Sequence, residues 1–303
     1  MKSRLRETSL RMAPRPRTSG SRRLATLAIG AAIAISTAFG GGIATAAPTV
    51  APPPAGCGLD SDSGKTDPRF TLWDDVKGET GVKPFKPGNL DVVTPAAKYQ
   101  PDKKHPKRYA IRLGGDHPGH GDDYLLVPTN RIKGIECSYL WDGSQLNLWY
   151  SAWAEAQKWV AKVPAKPLAI GVNSAEARGK DQLHIHLAVA NPATVSALKA
   201  IKNPQRNLDR WTTTNVNLPV NDPHKTKVSA QFRVVKYTGS LPNLFRVLHK
   251  QLPKGEAMYT QSIAVIDAGT PNTYYVLNST PNLPGVSPAH GTGLADYVYG
   301  WGV

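Results

Sequence analysis

The hydrophobic and polar positions of this chain fall into short blocks of two kinds. RYAIRL (Arg108 to Leu113) alternates with a period of two, the pattern of a strand with one buried face. YLLVP (Tyr124 to Pro128) is a second, more uniformly apolar run, and the turn-rich GGDHPGHGDD between them predicts a hairpin with a long loop. LNLWYSAWAEAQKWVAKV (Leu146 to Val163) changes period: Trp149, Ala152, Trp153, Ala156 and Val160 recur at the three-and-four spacing of one buried helix face. KPLAIGVN and DQLHIHLAVA return to strands, separated by the loop SAEARGKD. A helix follows behind Asn191-Pro192, then SAQFRVVKY as a strand, LPNLFRVLHKQL as a helix, and SIAVID and TYYVLN as a hairpin around AGTPN. This order predicts an α+β fold: an antiparallel sheet with helices packed on one side, extended by a C-terminal α+β portion.

One block carries chemistry. In DQLHIHLAVA, Leu183, Ile185, Leu187 and Val189 share the core face, which leaves Gln182, His184 and His186 on the other. A lone strand histidine is ordinarily satisfied by a carbonyl. Two on one face, behind Asn173 and a loop bearing Arg178, Gly179 and Lys180, point instead to a phosphate held by backbone N–H groups and cations. An imidazole nitrogen attacks phosphorus only when neutral, so the nucleophile's other nitrogen must donate to a fixed acceptor such as a backbone carbonyl. The second imidazole can hold the non-bridging oxygens, and water then completes a two-step hydrolysis that needs no metal or other cofactor. His117 and His120 in the Gly-rich turn could add zinc ligands, but a surface turn is the simpler reading. Arg131, after Pro128, is a further candidate phosphate contact.

Charge and leader narrow the setting. Eight Lys/Arg against Glu7 give residues 1–23 a charge of +7 out of the formal +15, leaving +8 for the other 280 residues, without the long basic runs of a nucleic-acid arm. The basic start, the apolar run Leu24 to Phe39 and Ala44-Thr45-Ala46 describe an export signal over 1–47, and Arg22-Arg23 hints at the twin-arginine route. An uncleaved anchor is the rival, although the apolar run is shorter than a spanning helix needs. Residues 48–106 read as a Pro-rich linker and loop-dominated lead-in, and 107–303 as the functional domain. The two cysteines, Cys57 and Cys137, suit a disulfide in an oxidising compartment; lipidation at Cys57 is the lesser alternative.

The run from Asn173 to Leu187 resembles the signature of the histidine-triad (HIT) superfamily, with Gln182, His184 and His186 in the three triad positions. YLLVPTNRIKGIECSYL, the Trp-rich LWYSAWAEAQKW, LAIGVNS and HIHLAV are similar, in order and spacing, to the CDP-diacylglycerol pyrophosphatase family, over roughly Arg108 to Tyr297. The resemblance implies a HIT-like sheet and an enzyme that hydrolyses CDP-diacylglycerol, or a related nucleotide-diphosphate conjugate, to CMP and phosphatidate. It implies location at the cell envelope, contact with a membrane surface through the lipid substrate, and no nucleic-acid or obligate protein partner. His184 would be the nucleophile, His186 a contact to the transferred phosphate, and Asn173 a group that orients the site. Arg178, Gly179, Lys180, Gln182 and Arg131 would bind substrate. Gln182 stands where that signature has a histidine, which leaves open a second reading: a catalytically weak HIT-like protein that binds a nucleotide or anionic lipid.

Overall fold

A computed structural model describes residues 56–77, 90–93, 109–114, 123–142, 147–160, 166–221, 227–284 and 298–299. The segment read as an export signal, His117 and His120 lie outside the described residues. Nine strands form one sheet among the described residues: β1 (Leu90–Val93), β2 (Tyr109–Leu113), β3 (Tyr124–Pro128), β4 (Leu168–Val172), β5 (Ile185–Val189), β6 (Asn215–Asn221), β7 (Lys227–Thr238), β8 (Ser262–Asp267) and β9 (Thr273–Ser279). Their spatial order is β1-β2-β3-β5-β4-β8-β9-β7-β6, and each pairing is antiparallel. The C-terminal strands join where β8 pairs with β4, so the expected C-terminal portion continues the same sheet. Pro219 lies in β6, an edge strand, where a missing ladder N–H is tolerated.

The helices are α1 (Thr71–Val76), α2 (Leu148–Trp159), α3 (Pro192–Lys199) and α4 (Leu244–His249). Local chemistry sets their starts. Asn147 accepts from the Tyr150 N–H, and Asn191 accepts from the Ala193 N–H at 2.8 Å with Pro192 next in line. One sheet face packs Leu126, Ile170, Ile185 and Leu187 against Trp149, Ala152 and Ala156 of α2 and Phe245 of α4.

Helices cover both faces of the sheet, which corrects the one-sided expectation. On the second face, Leu72, Trp73 and Val76 of α1 pack on Ala110 and Val127, while Val195 and Leu198 of α3 share a separate cluster with Ala188, Ala190 and Tyr299. The reason lies in β5, whose second face is buried too. That face, expected to be polar, carries the small residues Ala188 and Ala190, which admit a covering layer. The histidines therefore sit in a seam between two apolar clusters.

The segment read as a lead-in is also more than a linker. Residues 56–77 supply α1, and β1 pairs with β2. Its short helix and its turns carry too few apolar positions to show a clear period.

Candidate active site

His184 immediately precedes β5 and is only 8% exposed. Its Nδ1 lies 2.8 Å from the Gln182 carbonyl oxygen. A carbonyl can only accept, so Nδ1 carries the proton and Nε2 keeps its lone pair. Burial, the adjacent His186 ring and the Arg178 charge push its pKa down to about 3 against the opposing pull of that carbonyl. The imidazole is therefore neutral at pH 7, the form that attacks phosphorus.

The same shift makes stability depend on pH. The unfolded chain takes up this proton near pH 6.5, the folded chain only near 3. The contribution is complete above 6.5 and is lost as pH falls from there towards 3, by an amount on the order of a few kcal/mol. His184→Ala is expected to flatten this acid limb, measured as the change in urea midpoint between pH 7 and pH 4. An unchanged limb would contradict the assignment.

His186 lies two residues on, partly buried, with its ring 5.1 Å from that of His184 and tilted at 65°. Its Nδ1 is 3.2 Å from Oδ2 of buried Asp123. Asp123 was hidden in the turn-like GGDHPGHGDD. The available signal was register: Leu125 pairs with His186, which puts Asp123 on the same face at the diagonal position.

Other expected contacts are spent inside the protein. Gln182 is fully buried; its Nε2 donates to the Pro128 and Asn130 carbonyls at 2.8 and 3.0 Å, and its Oε1 accepts from Arg131 and from the Ile132 N–H. Those four bonds fill an amide's capacity, so Gln182 clasps the 128–132 segment rather than meeting substrate. Arg131, with its side chain 1% exposed, binds Asp62 and the Asp181 carbonyl and faces the rings of Phe70 and Trp73. Arg178 forms a bidentate pair with Glu136 at 2.6 and 2.7 Å and donates Nε to Asp181 at 2.8 Å. Both arginines are structural cations, neutralised by carboxylates that sequence reasoning did not connect to them. Arg178 still reaches the centre: with Gly134, Val172, Asn173 and Leu183 it lines a small pocket at His184.

The loop amides tell a similar story. Ala175 donates to the Tyr259 carbonyl, and Ala177 and Arg178 to Ser174, so those N–H groups are not presented to a ligand. Gly179 and Lys180 are exposed and Lys180 donates to the Pro68 carbonyl, so these two can face an incoming phosphate.

Gly134 is where the arginine comes closest to the backbone. A Cβ there would overlap the Arg178 guanidinium and come within 2.7 Å of Glu136. Gly134→Ala is expected to cost about 1–3 kcal/mol in chemical denaturation; a neutral result would show that the pair shifts freely.

Comparison with known proteins supplies the family. A model of the family described as CDP-diacylglycerol pyrophosphatase matches residues 108–297, well over half of the chain. The chain belongs to this family. Its relatives include a probable CDP-diacylglycerol pyrophosphatase of Mycobacterium tuberculosis, 35% identical over 82 residues, covering 26% of this chain and 32% of that protein. The Mycobacterium leprae protein of the same name is 35% identical over 85 residues (26% and 31%). The CDP-diacylglycerol pyrophosphatase of Yersinia pestis is 36% identical over 81 residues (25% and 31%). The chain thus matches about a third of the length of these curated relatives.

A disulfide joins Cys57, upstream of the matched region, to Cys137 within it, both buried, with Cα atoms 4.5 Å apart. It binds the 56–62 segment to the loop that holds Glu136, and so to Arg178. A larger cleft of about 520 Å³ lies between α2 and the β8–β9 hairpin, lined by Tyr150, Trp153, Gln157, Asp267 and Tyr274 among others. It holds no nucleophile paired with a base, so the histidine pair is the better centre despite its smaller pocket. Among the described residues, no helix is long and apolar enough to cross a membrane.

Proposed function

We propose that this chain hydrolyses the pyrophosphate bond of CDP-diacylglycerol, or a close nucleotide-diphosphate conjugate, to CMP and phosphatidate through a cytidylyl–His184 intermediate. The observation that carries the reading is His184 itself: a desolvated, neutral imidazole whose Nδ1–H is anchored on the Gln182 carbonyl, which leaves Nε2 as the nucleophile. His186 stands within reach to carry a proton or meet a phosphate oxygen. A HIT-like origin fits an antiparallel sheet with this imidazole pair at the start of a central strand.

Location at the cell envelope is part of the same proposal. The buried Cys57–Cys137 disulfide supports an oxidising compartment, and the signal-like first 47 residues support export. Contact with a membrane surface follows from a diacylglycerol-bearing substrate.

The test is to mix the purified protein with CDP-diacylglycerol in detergent micelles or vesicles, with and without EDTA, and to follow CMP. Release of CMP that survives the chelator supports the reading. Tight binding of CMP with no product would favour a binding protein instead, and release abolished by EDTA would replace the histidine scheme with a metal-dependent one.

A further inference from the structure

The mechanism above leaves the buried carboxyl of Asp123, beside the histidine pair, without a task. Asp123 enters β3 two residues before Leu125, the cross-strand partner of His186. Its carboxylate is almost wholly buried, with Oδ2 at 3.2 Å from His186 Nδ1. The approach is built into the β2–β3 hairpin. Gly114 donates its N–H to the Asp123 carbonyl at 2.6 Å, and a Cβ at Gly114 would stand 2.5 Å from that same Oδ2. The missing side chain at 114 is what lets the carboxylate settle onto the imidazole. The other titratable rings against His186 are His184 at 5.1 Å and Tyr299 at 5.8 Å between centroids.

A buried carboxylate requires a donor or a cation beside it, and an imidazole beside a carboxylate favours its protonated form. The two histidines therefore stand in different surroundings: burial and a neighbouring arginine hold His184 neutral, while a buried carboxylate is placed against Nδ1 of His186.

We propose that Asp123 is a positioning residue that fixes His186 with its proton on Nδ1 and readies Nε2 as the proton carrier of the transfer. This rests on the cytidylyl-transfer reading. In the first step His184 Nε2 forms a bond to the cytidylyl phosphorus. The bridging P–O bond breaks with its electron pair passing to the phosphatidate oxygen, which takes the Nε2 proton of His186. In the second step water attacks phosphorus and gives a proton back to His186 Nε2. The P–N bond breaks, its electron pair returns to His184 Nε2, and CMP leaves. Asp123 makes and breaks no bond in either step, so its part is orientation.

The test uses the full chain and two CMP esters, the p-nitrophenyl ester, whose leaving group departs without a proton, and the phenyl ester, whose leaving group needs one. Asp123→Asn is expected to lower kcat/KM about 100-fold on the phenyl ester and less than roughly tenfold on the p-nitrophenyl ester. The basic limb of its pH–rate profile should also move to lower pH. Equal losses on both esters, as general loosening would give, or no loss on either, overturn the proposal. If Asp123→Asn does not fold, Gly114→Ala keeps the carboxylate but displaces it, and the same selective loss is expected. A wild-type protein that turns over neither ester nor CDP-diacylglycerol sinks the transfer reading itself. Uniform loss in an otherwise active protein overturns only the role of Asp123.

Discussion

His184→Ala is expected to reduce CMP release by at least about 10⁴-fold, the scale seen when a covalent nucleophile is removed and only binding and charge stabilisation remain. The size follows from geometry. Among the described residues, no other imidazole has Nδ1 fixed by a carbonyl and Nε2 left for attack, and His186 is committed to Asp123 through its own Nδ1. The covalent adduct should vanish with the activity. Wild-type protein quenched under alkaline conditions, where phosphoramidates persist, should carry the added mass of one cytidylyl group; the variant should not. Far-UV circular dichroism checks that the sheet is intact. Turnover by His184→Ala within tenfold of wild type would refute the covalent scheme.

The second large effect concerns stability. Cys57 and Cys137 are 80 positions apart, so their bond closes a long loop of the unfolded chain. The double variant Cys57→Ser/Cys137→Ser should lose roughly 2–5 kcal/mol, which for a domain of this size lowers Tm by on the order of 10 °C. The loss should reach the site as well, because the loop ending at Cys137 carries Glu136, the bidentate partner of Arg178 at the His184 pocket. A double variant with unchanged Tm and activity would show that the ion pairs hold this region unaided.

Much of the sheet was legible because its interior strands are short and cleanly patterned. RYAIRL, YLLVP, LAIGV, SIAVID and TYYVLN each stand close to the strands that form. The unread elements had weaker signals: β6 contains a proline and several asparagines, α1 is under two turns long, and β1 has four residues. At the site, the imidazole pair and its loop were legible because strand alternation alone places both rings on one face. Long-range partners were not. Arg178 and Arg131 looked like phosphate ligands because Glu136, Asp62 and the Asp181 carbonyl meet them only in the folded sheet. Gln182 looked like a degraded histidine. Its amide instead makes four bonds that an imidazole, with two ring nitrogens, cannot reproduce.

The covering of the histidine seam has a consequence for how the protein matures. Tyr299 is fully buried against the His186 ring, makes an isolated bridge to Ala190, and follows Val298, whose carbonyl receives the Asn191 N–H. The seam is thus closed by residues more than a hundred positions downstream of the strand it protects. A chain that has emerged only as far as α3 holds both imidazoles but not the ring that packs on His186, and β8, which flanks β4, is also still to come. Such distant pairings form late and slowly. On the proposed function, competence is therefore a property of the whole sheet, and its onset during refolding should trail the first appearance of β structure.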